Sequence, residues 1–313
     1  MIRNKKIFIT GLNGSIAKKF IILLEKKTQN SKIYVSSRSK TKKNKRNIKH
    51  IKLDKYYSKI KNYQKIINEC DYFFHLAYQN SESFAEDHPY EDFKINVQSL
   101  MKILNIAKNN RKLTFIFTST VSIYKTSKKK INEKSEIKTL SVYNFHKYFC
   151  ENLIRLYSLF SKNNFIILRL SNVYGDNDKR KRDFLLHCME NIKHGKSLNI
   201  YGSGNYYRDF IHINDIALAL LKIIEKRNFN KFSIYNICSG SSITIKNLIN
   251  LFIKIFSKAK HNTSVKIKFS KKNNRLIKRN FFSKPIKFMR EFNWRPKIKL
   301  SNGIHNLVKK SVR

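Results

Sequence analysis

The chain has 313 residues, 41% of them hydrophobic, and its 66 Lys and Arg against 20 Asp and Glu give a net charge of +46. That length and apolar share support a sizeable core in one or two closely joined domains. A membrane-spanning helix is not expected, because no run of about 18 apolar residues occurs. Cys70, Cys150, Cys188 and Cys238 lie far apart, which argues against a zinc cluster or a disulfide framework. No metal site is expected among the dispersed histidines either. The start leads directly into an apolar strand without a separate signal segment, so a reducing cytoplasm is the expected location.

Lys6-Ile7-Phe8-Ile9-Thr10 reads as a short buried strand. Gly11-Leu12-Asn13-Gly14-Ser15-Ile16-Ala17 follows, and Phe20, Ile21, Leu23 and Leu24 then recur at helical spacing. Strand, glycine turn and helix form the context of a dinucleotide fingerprint. Gly11 permits a tight turn, Gly14 lets backbone approach a pyrophosphate at the helix N-terminus, and Ala17 is the small packing position. The spacing is Gly-x-x-Gly-x-x-Ala, which an ordinary strand-to-helix turn also satisfies.

Further strands are expected at 33–35, 51–53, 72–76, 113–118 and 165–170, with helices at 93–107 and 143–159. This alternation predicts an α/β fold, a doubly wound parallel Rossmann sheet. Residues 1–175 form the expected cofactor-binding domain, rejoined by about 208–237. Residues 176–207 and 238–313 form a smaller substrate-binding part. The segment 40–49 reads as a basic, solvated loop.

Tyr143 and Lys147 stand four apart, on one face of a helix. A nearby ammonium favours phenolate, so the phenol can exchange a proton with a sugar hydroxyl or carbonyl. Thr120, at the end of an apolar run, completes a candidate trio. The charge raises another reading, attachment to nucleic acid. Basic residues are nevertheless spread along the whole chain, and Lys, Asn and Ile are abundant throughout. A codon bias toward adenine and thymine accounts for this, and no specific nucleic-acid site is expected.

Ten blocks in order complete the picture. They are Thr10-Gly11-x-x-Gly14-x-x-Ala17, Leu53-Asp54, His75-Leu76-Ala77, Asn96-Val97, Thr118-Ser119-Thr120-x-x-x-Tyr124, Tyr143-x-x-x-Lys147, Arg169 through Gly175, Arg208-Asp209-Phe210-Ile211-His212, Tyr235-Asn236-Ile237 and Trp294-x-Pro296. In these the chain resembles the extended short-chain dehydrogenase/reductase family, the NAD(P)-dependent epimerases and dehydratases of nucleotide sugars.

The resemblance implies that Tyr143 is the acid/base, Lys147 binds the nicotinamide ribose and Thr120 hydrogen-bonds the reacting oxygen, with Ser122 as a possible substitute. Asn96 follows the family asparagine that fixes the helix carrying the site. The resemblance places Gly11, Asn13, Gly14, Ser15, Ile16, Leu76 and Ala77 against the cofactor. Asp54 resembles an aspartate that bonds adenine, although capping the following helix is equally open to it. Ser36-Ser37-Arg38-Ser39 offers no carboxylate for a ribose, and Arg38 suits the 2′-phosphate of NADP, or adenine, or solvent. NAD or NADP is therefore expected. Asn172 and Arg208 resemble contacts to the phosphates of a nucleotide-diphosphate sugar, and Arg275 is a second phosphate candidate.

Three departures stand out. Val121-Ser122 replaces the Asp-Glu of sugar dehydratases, His146 replaces a Ser or Thr before the lysine, and Asp176 replaces a proline. The implied function is a nucleotide-sugar epimerase working as a homodimer. An NADPH-dependent 4-ketoreductase and an RNA-binding relative are the alternatives.

Overall fold

The computed structural model describes residues 1–39, 47–110, 112–127, 129–175, 184–258, 265–270 and 280–312. Seven parallel strands form its main sheet, in the spatial order Phe232–Ile237, Asn164–Leu170, Thr114–Thr120, Tyr72–His75, Lys6–Thr10, Lys32–Ser37, Ile48–Lys52. The order reverses between Tyr72–His75 and Lys6–Thr10. That switch point opens a crevice at the carboxyl ends of the strands, where doubly wound sheets bind ligands.

The inner strands are buried on both faces, which is why they read as apolar runs rather than alternations. On one face an aromatic ladder crosses four of them in register. Phe8 stacks on Phe73 at 4.8 Å, Phe73 on Phe115 at 5.2 Å, and Phe115 meets Phe165 at 6.0 Å. Each such pair contributes about 0.5–1.5 kcal/mol beyond its burial. On the other face, helices Ser15–Lys27 and Ile213–Glu225 cover Ile7, Ile9, Val35 and Phe74.

A further core gathers Tyr174, Leu185, Met189, Phe210, Leu248, Phe252, Phe256 and Ile304. Short strands frame it. Asn172–Tyr174 runs parallel to Tyr207–His212, and Ser242–Thr244 pairs with the latter antiparallel. Leu198–Tyr201 pairs with Ile267–Ser270.

Two sequence expectations need correction. Ile48 and Lys49 belong to the strand Ile48–Lys52 and not to the basic loop, because Ile48 is buried against Ile33. Residues 40–46 lie outside the described residues. The expected helix 93–107 is interrupted, since Pro89–Phe93 is α, Lys94–Gln98 is a π-turn and Ser99–Ala107 is α again. The helix expected at 143–159 is observed as Val142–Phe160. No helix among the described residues is long and apolar enough to cross a membrane.

Candidate active site

The candidate residues gather at the carboxyl ends of the parallel strands. Gly11 follows the first strand with φ +82, and a Cβ there would lie 2.9 Å from the backbone of Ala77. Glycine is required both by the left-handed backbone and by that contact. The Leu76 and Ala77 N–H groups donate to Thr10 Oγ1 at 3.1 Å each, which fixes the two strand ends together. His75 Nδ1 lies 3.0 Å from the same hydroxyl. Burial, then the charge of Lys147, lowers the His75 pKa to about 3, so this imidazole is neutral.

Gly14 caps helix Ser15–Lys27 without a side-chain bond, and the first turn, with Ser15 and Ile16, carries no acid. The positive end of that helix dipole therefore faces the turn. Asn13 Nδ2 donates to Ser39 Oγ at 3.3 Å. Arg38 is exposed, whereas Ser36 and Ser37 are buried, and Ser37 Oγ donates to the Ser39 carbonyl. Asp54 accepts from the backbone of Tyr56 at 2.7 Å and of Ser58 at 3.2 Å, the geometry of a turn cap.

Helix Val142–Phe160 brings the acid/base candidates to the end of strand Thr114–Thr120. Ser141 caps it, accepting from the Asn144 N–H. The buried Arg169–Glu151 pair, with Nη2 to Oε2 at 2.6 Å, ties the helix to the neighbouring strand. Lys147 is buried, donates to the Thr118 carbonyl at 2.7 Å, and sits 3.3 Å from the centre of the Tyr78 ring. The same ring meets Tyr143 edge-on at 5.9 Å. Thr120 Oγ1 lies 2.7 Å from Ser122 Oγ, which donates to Asn144 Oδ1, next to Tyr143. Tyr143 and Lys147 thus meet at the Tyr78 ring, and Thr120 is linked to the same helix through Ser122 and Asn144.

The electrostatics differ from the simple pair that the spacing suggests. Burial raises the Tyr143 phenol, and Glu82 and Asp92 raise it further. The ammonium is turned to a carbonyl and a ring. Burial lowers Lys147 from the ordinary 10.5 to about 7, against the carboxylates nearby. Between those values the unfolded chain binds a proton that the folded chain does not, so stability falls as the pH drops through that window. Lys147→Met should therefore raise the melting temperature most near pH 7 and below, and least near about pH 10. An equal gain at both pH values would show that the buried ammonium is not the cause.

Around this centre the fold supplies residues that sequence reasoning did not single out. Asp92 is fully buried, with Oδ2 2.7 Å from His146 Nδ1 and Oδ1 accepting from Asn96 Nδ2 at 2.9 Å. Asn96 in turn holds the Gln79 backbone at both its N–H and its carbonyl. The histidine at the departure position therefore links helix Val142–Phe160 to the loop that carries Tyr78. Asp209, inside the Arg208 block, accepts from Ser171 Oγ at 2.6 Å, Ser239 N at 2.8 Å and Gly240 N at 2.9 Å. It joins three strand ends. No local pattern announces the His146 partner of Asp92, 54 residues away, or the partners of Asp209, 30 to 38 residues away.

At the other end, Asn172 Nδ2 donates to the Asp209 carbonyl, pinning the strand that carries Arg208. The Arg208 guanidinium lies 5.0 Å from the Tyr206 ring and 5.3 Å from Phe281. Stacking of this kind orients its planar fork. Arg275 lies outside the described residues. Among the described residues no group of three His, Cys, Asp or Glu side chains could hold a metal ion.

The sequence pattern of the NAD dependent epimerase/dehydratase family matches residues 7–238. A putative UDP-glucose 4-epimerase of Methanocaldococcus jannaschii is 27% identical over 240 residues, covering 75% of this chain and 74% of that protein. The human dTDP-D-glucose 4,6-dehydratase is 24% identical over 97% of this chain and 89% of its own length. Among solved structures, the UDP-N-acetylglucosamine 4-epimerase of Methanobrevibacter ruminantium, in complex with UDP-N-acetylmuramic acid, superposes with a TM-score of 0.85 at 23% identity over 99% of both chains. A UDP-glucuronic acid 4-epimerase of Bacillus cereus, in complex with UDP-glucuronic acid and NAD, gives 0.82 at 20% identity over 99% of this chain and 100% of its own. These structural likenesses establish the fold, and the match across residues 7–238 establishes the family. The chain belongs to the NAD dependent epimerase/dehydratase family.

Proposed function

We propose that the protein is an NAD(P)-dependent nucleotide-sugar epimerase, with Tyr143 as acid/base. The observation that supports it best is the meeting of Tyr143 and Lys147 at the ring of Tyr78, the residue after the Gly11–Ala77 contact, with Thr120 linked to their helix through Ser122. Gly11, Asn13, Gly14, Ser15, Ile16, Leu76 and Ala77 suit a dinucleotide, with the pyrophosphate at the helix N-terminus. When bound, its nicotinamide supplies the hydride acceptor and donor. Tyr143 is protonated in the ligand-free protein. Its phenolate, favoured by the positive charges of Lys147 and of the oxidised nicotinamide, takes the proton of the sugar hydroxyl and returns it, while Thr120 orients that oxygen. Val121 and Ser122 provide no carboxylate to remove water, which disfavours a dehydratase.

Exposed Arg38, with no carboxylate at its strand end, suits a 2′-phosphate and keeps the NADPH-dependent ketoreductase as the second reading. Incubation with UDP-glucose or UDP-N-acetylglucosamine and a trace of NAD separates the two. Epimer formed over many turnovers per cofactor supports the proposal. Consumption of NADPH one-for-one with a keto-sugar, without epimer, would replace it.

For the substrate end we propose that Arg208 and Asn172 hold the diphosphate. Arg208→Ala should weaken UDP-sugar binding by about 1.5–3 kcal/mol, the scale of a hydrogen bond to a charged group. A free sugar should lose much less. Equal losses by calorimetry would remove Arg208 from the diphosphate site.

We also propose a homodimer. Phe145, Phe149, Leu156 and Phe160 form an exposed stripe along one face of helix Val142–Phe160, near exposed Met101 on Ser99–Ala107. Apolar stripes of this size mark protein contacts. Light scattering should give twice the chain mass at micromolar concentration, and the double substitution Phe149→Glu, Leu156→Glu should halve it. A monomeric wild type would refute the dimer.

A further inference from the structure

We infer that Tyr78 is a positioning residue of this site, its ring forming the seat on which the Lys147 ammonium rests beside Tyr143. This rests on the reading of Lys147 as the cation and Tyr143 as the acid/base. In this account Tyr78 acts through Lys147 and touches neither substrate nor cofactor.

An ammonium carries three N–H donors. Lys147 Nζ gives one to the Thr118 carbonyl at 2.7 Å. It stands 3.3 Å from the centre of the Tyr78 ring and 4.8 Å from that of Phe117. A cation over an aromatic face is attracted by the ring quadrupole, and more strongly where water is excluded. Lys147 is buried, so the rings stand in for part of the hydration that a surface lysine keeps. Tyr78 is much the nearer of the two.

The backbone holds this ring in place on both sides. Tyr78 follows Ala77, whose N–H is fixed to Thr10 Oγ1 at 3.1 Å. It precedes Gln79, whose N–H and carbonyl are both held by Asn96, at 2.8 and 3.2 Å. Asn96 is bonded to Asp92, and Asp92 to His146, the residue before Lys147. The helix that carries the ammonium therefore also anchors the loop that carries its seat. The hydroxyl contributes little. Among the described residues Tyr78 Oη has no oxygen or nitrogen partner, and the Cys150 thiol beside it is a weak one. Burial holds the phenol well above its usual range, so it stays neutral. What Tyr78 offers Lys147 is the face of its ring.

The surroundings say what the seat is for. Burial draws Lys147 toward the neutral amine, down to about 7. Against this act the Cys150 thiol and the carboxylates of Glu151 and Asp92. Both carboxylates are already engaged, by Arg169 and by His146. The nearby His75 imidazole is neutral. The ring adds an attraction that acts only on the charged form. It thereby retains the cation that favours the Tyr143 phenolate.

NMR titration of the ligand-free protein, labelled with carbon-13 at lysine Cε, tests this directly. Lys147 is identified as the resonance lost in Lys147→Met. Its midpoint in the wild type should lie at about 7. Tyr78→Phe keeps the face and should leave the midpoint in place. Tyr78→Leu should lower it by about one pH unit, the scale of a desolvated cation–π contact. Mono-, di- and trifluorinated phenylalanine at position 78 keep the ring and weaken its face in steps. They should lower the midpoint in the same steps, and they decide the matter should Tyr78→Leu fail to fold. A midpoint unmoved across the fluorinated series, or a fall in Tyr78→Phe as large as in Tyr78→Leu, would overturn the inference.

Turnover of UDP-glucose or UDP-N-acetylglucosamine with NAD gives the functional measure. Near neutral pH, Tyr78→Leu should be slower than wild type by about fivefold, the drop in charged fraction that the lower midpoint implies. The deficit should close toward about pH 5, where both proteins keep the ammonium. A deficit of one size at every pH would assign Tyr78 to the fold alone. A wild type that turns over neither sugar would sink the proposed function, and the titration would still decide whether the ring holds the charge.

Discussion

Replacing Tyr143 by phenylalanine should lower turnover by about 10²–10⁴-fold, the usual worth of a positioned proton-transfer group. Dinucleotide affinity should stay close to wild type. The substitution removes one oxygen and leaves the ring, so the edge contact with Tyr78 at 5.9 Å survives. Folding should not suffer either, since burial and two carboxylates already hold the phenol above its usual range in the protonated form. Steady-state kinetics with a calorimetric cofactor titration would check both halves. A variant turning over at near wild-type rate would exclude Tyr143 from the chemistry, whatever its neighbours.

Gly14→Val should be the most damaging change at the cofactor end. Gly14 has ordinary backbone angles, φ −73 and ψ 145, so the effect does not come from backbone strain. It comes from space. A Cβ at this position already lies 3.0 Å from the Gly11 carbonyl, and the branches of valine would project over the helix N-terminus, where a pyrophosphate would approach. Dinucleotide affinity should fall by at least about 100-fold, roughly 2.7 kcal/mol or more. Circular dichroism should confirm that the variant is folded. Unchanged affinity in a folded variant would mean that the glycine turn serves the fold alone.

The centre of the main sheet was legible because its inner strands are short apolar runs. Lys6–Thr10, Tyr72–His75 and Thr114–Thr120 are buried on both faces, and that burial writes itself into composition. Boundaries were less clear. Leu53 is buried and its N–H bonds Ser37, yet the strand ends at Lys52. The small strands of the second part were invisible, because Asn172–Tyr174 and Ser242–Thr244 are three residues each and exist only by pairing with Tyr207–His212.

The trio shows the same divide. Spacing of four put Tyr143 and Lys147 on one helix face. It could not say that the ammonium would find the Thr118 carbonyl and the Tyr78 ring first. Likewise Asp54 satisfied two sequence readings, and in three dimensions it caps the turn at Tyr56 and Ser58 and not the helix Ile60–Tyr63. Glu82, Asp92 and Asp209 are ordinary acids in the sequence. Their roles come from partners that only the finished fold delivers.

The π-turn at Lys94–Gln98 sets a phase. An α-helix advances about 100° per residue, and a π-turn holds one residue more than an α-turn. That surplus residue lets Asp92 and Asn96 face His146 and Gln79, while Leu100, Ile103 and Leu104 downstream face the core. A regular α-helix over 94–98 with the same number of residues would satisfy every local preference. It would also swing one half by about 100° relative to the other, so that either the Asp92 clamp or the apolar stripe would be misdirected. The irregularity thus works as a gear tooth between two surfaces, and a sequence designed here for helical regularity alone would disengage them.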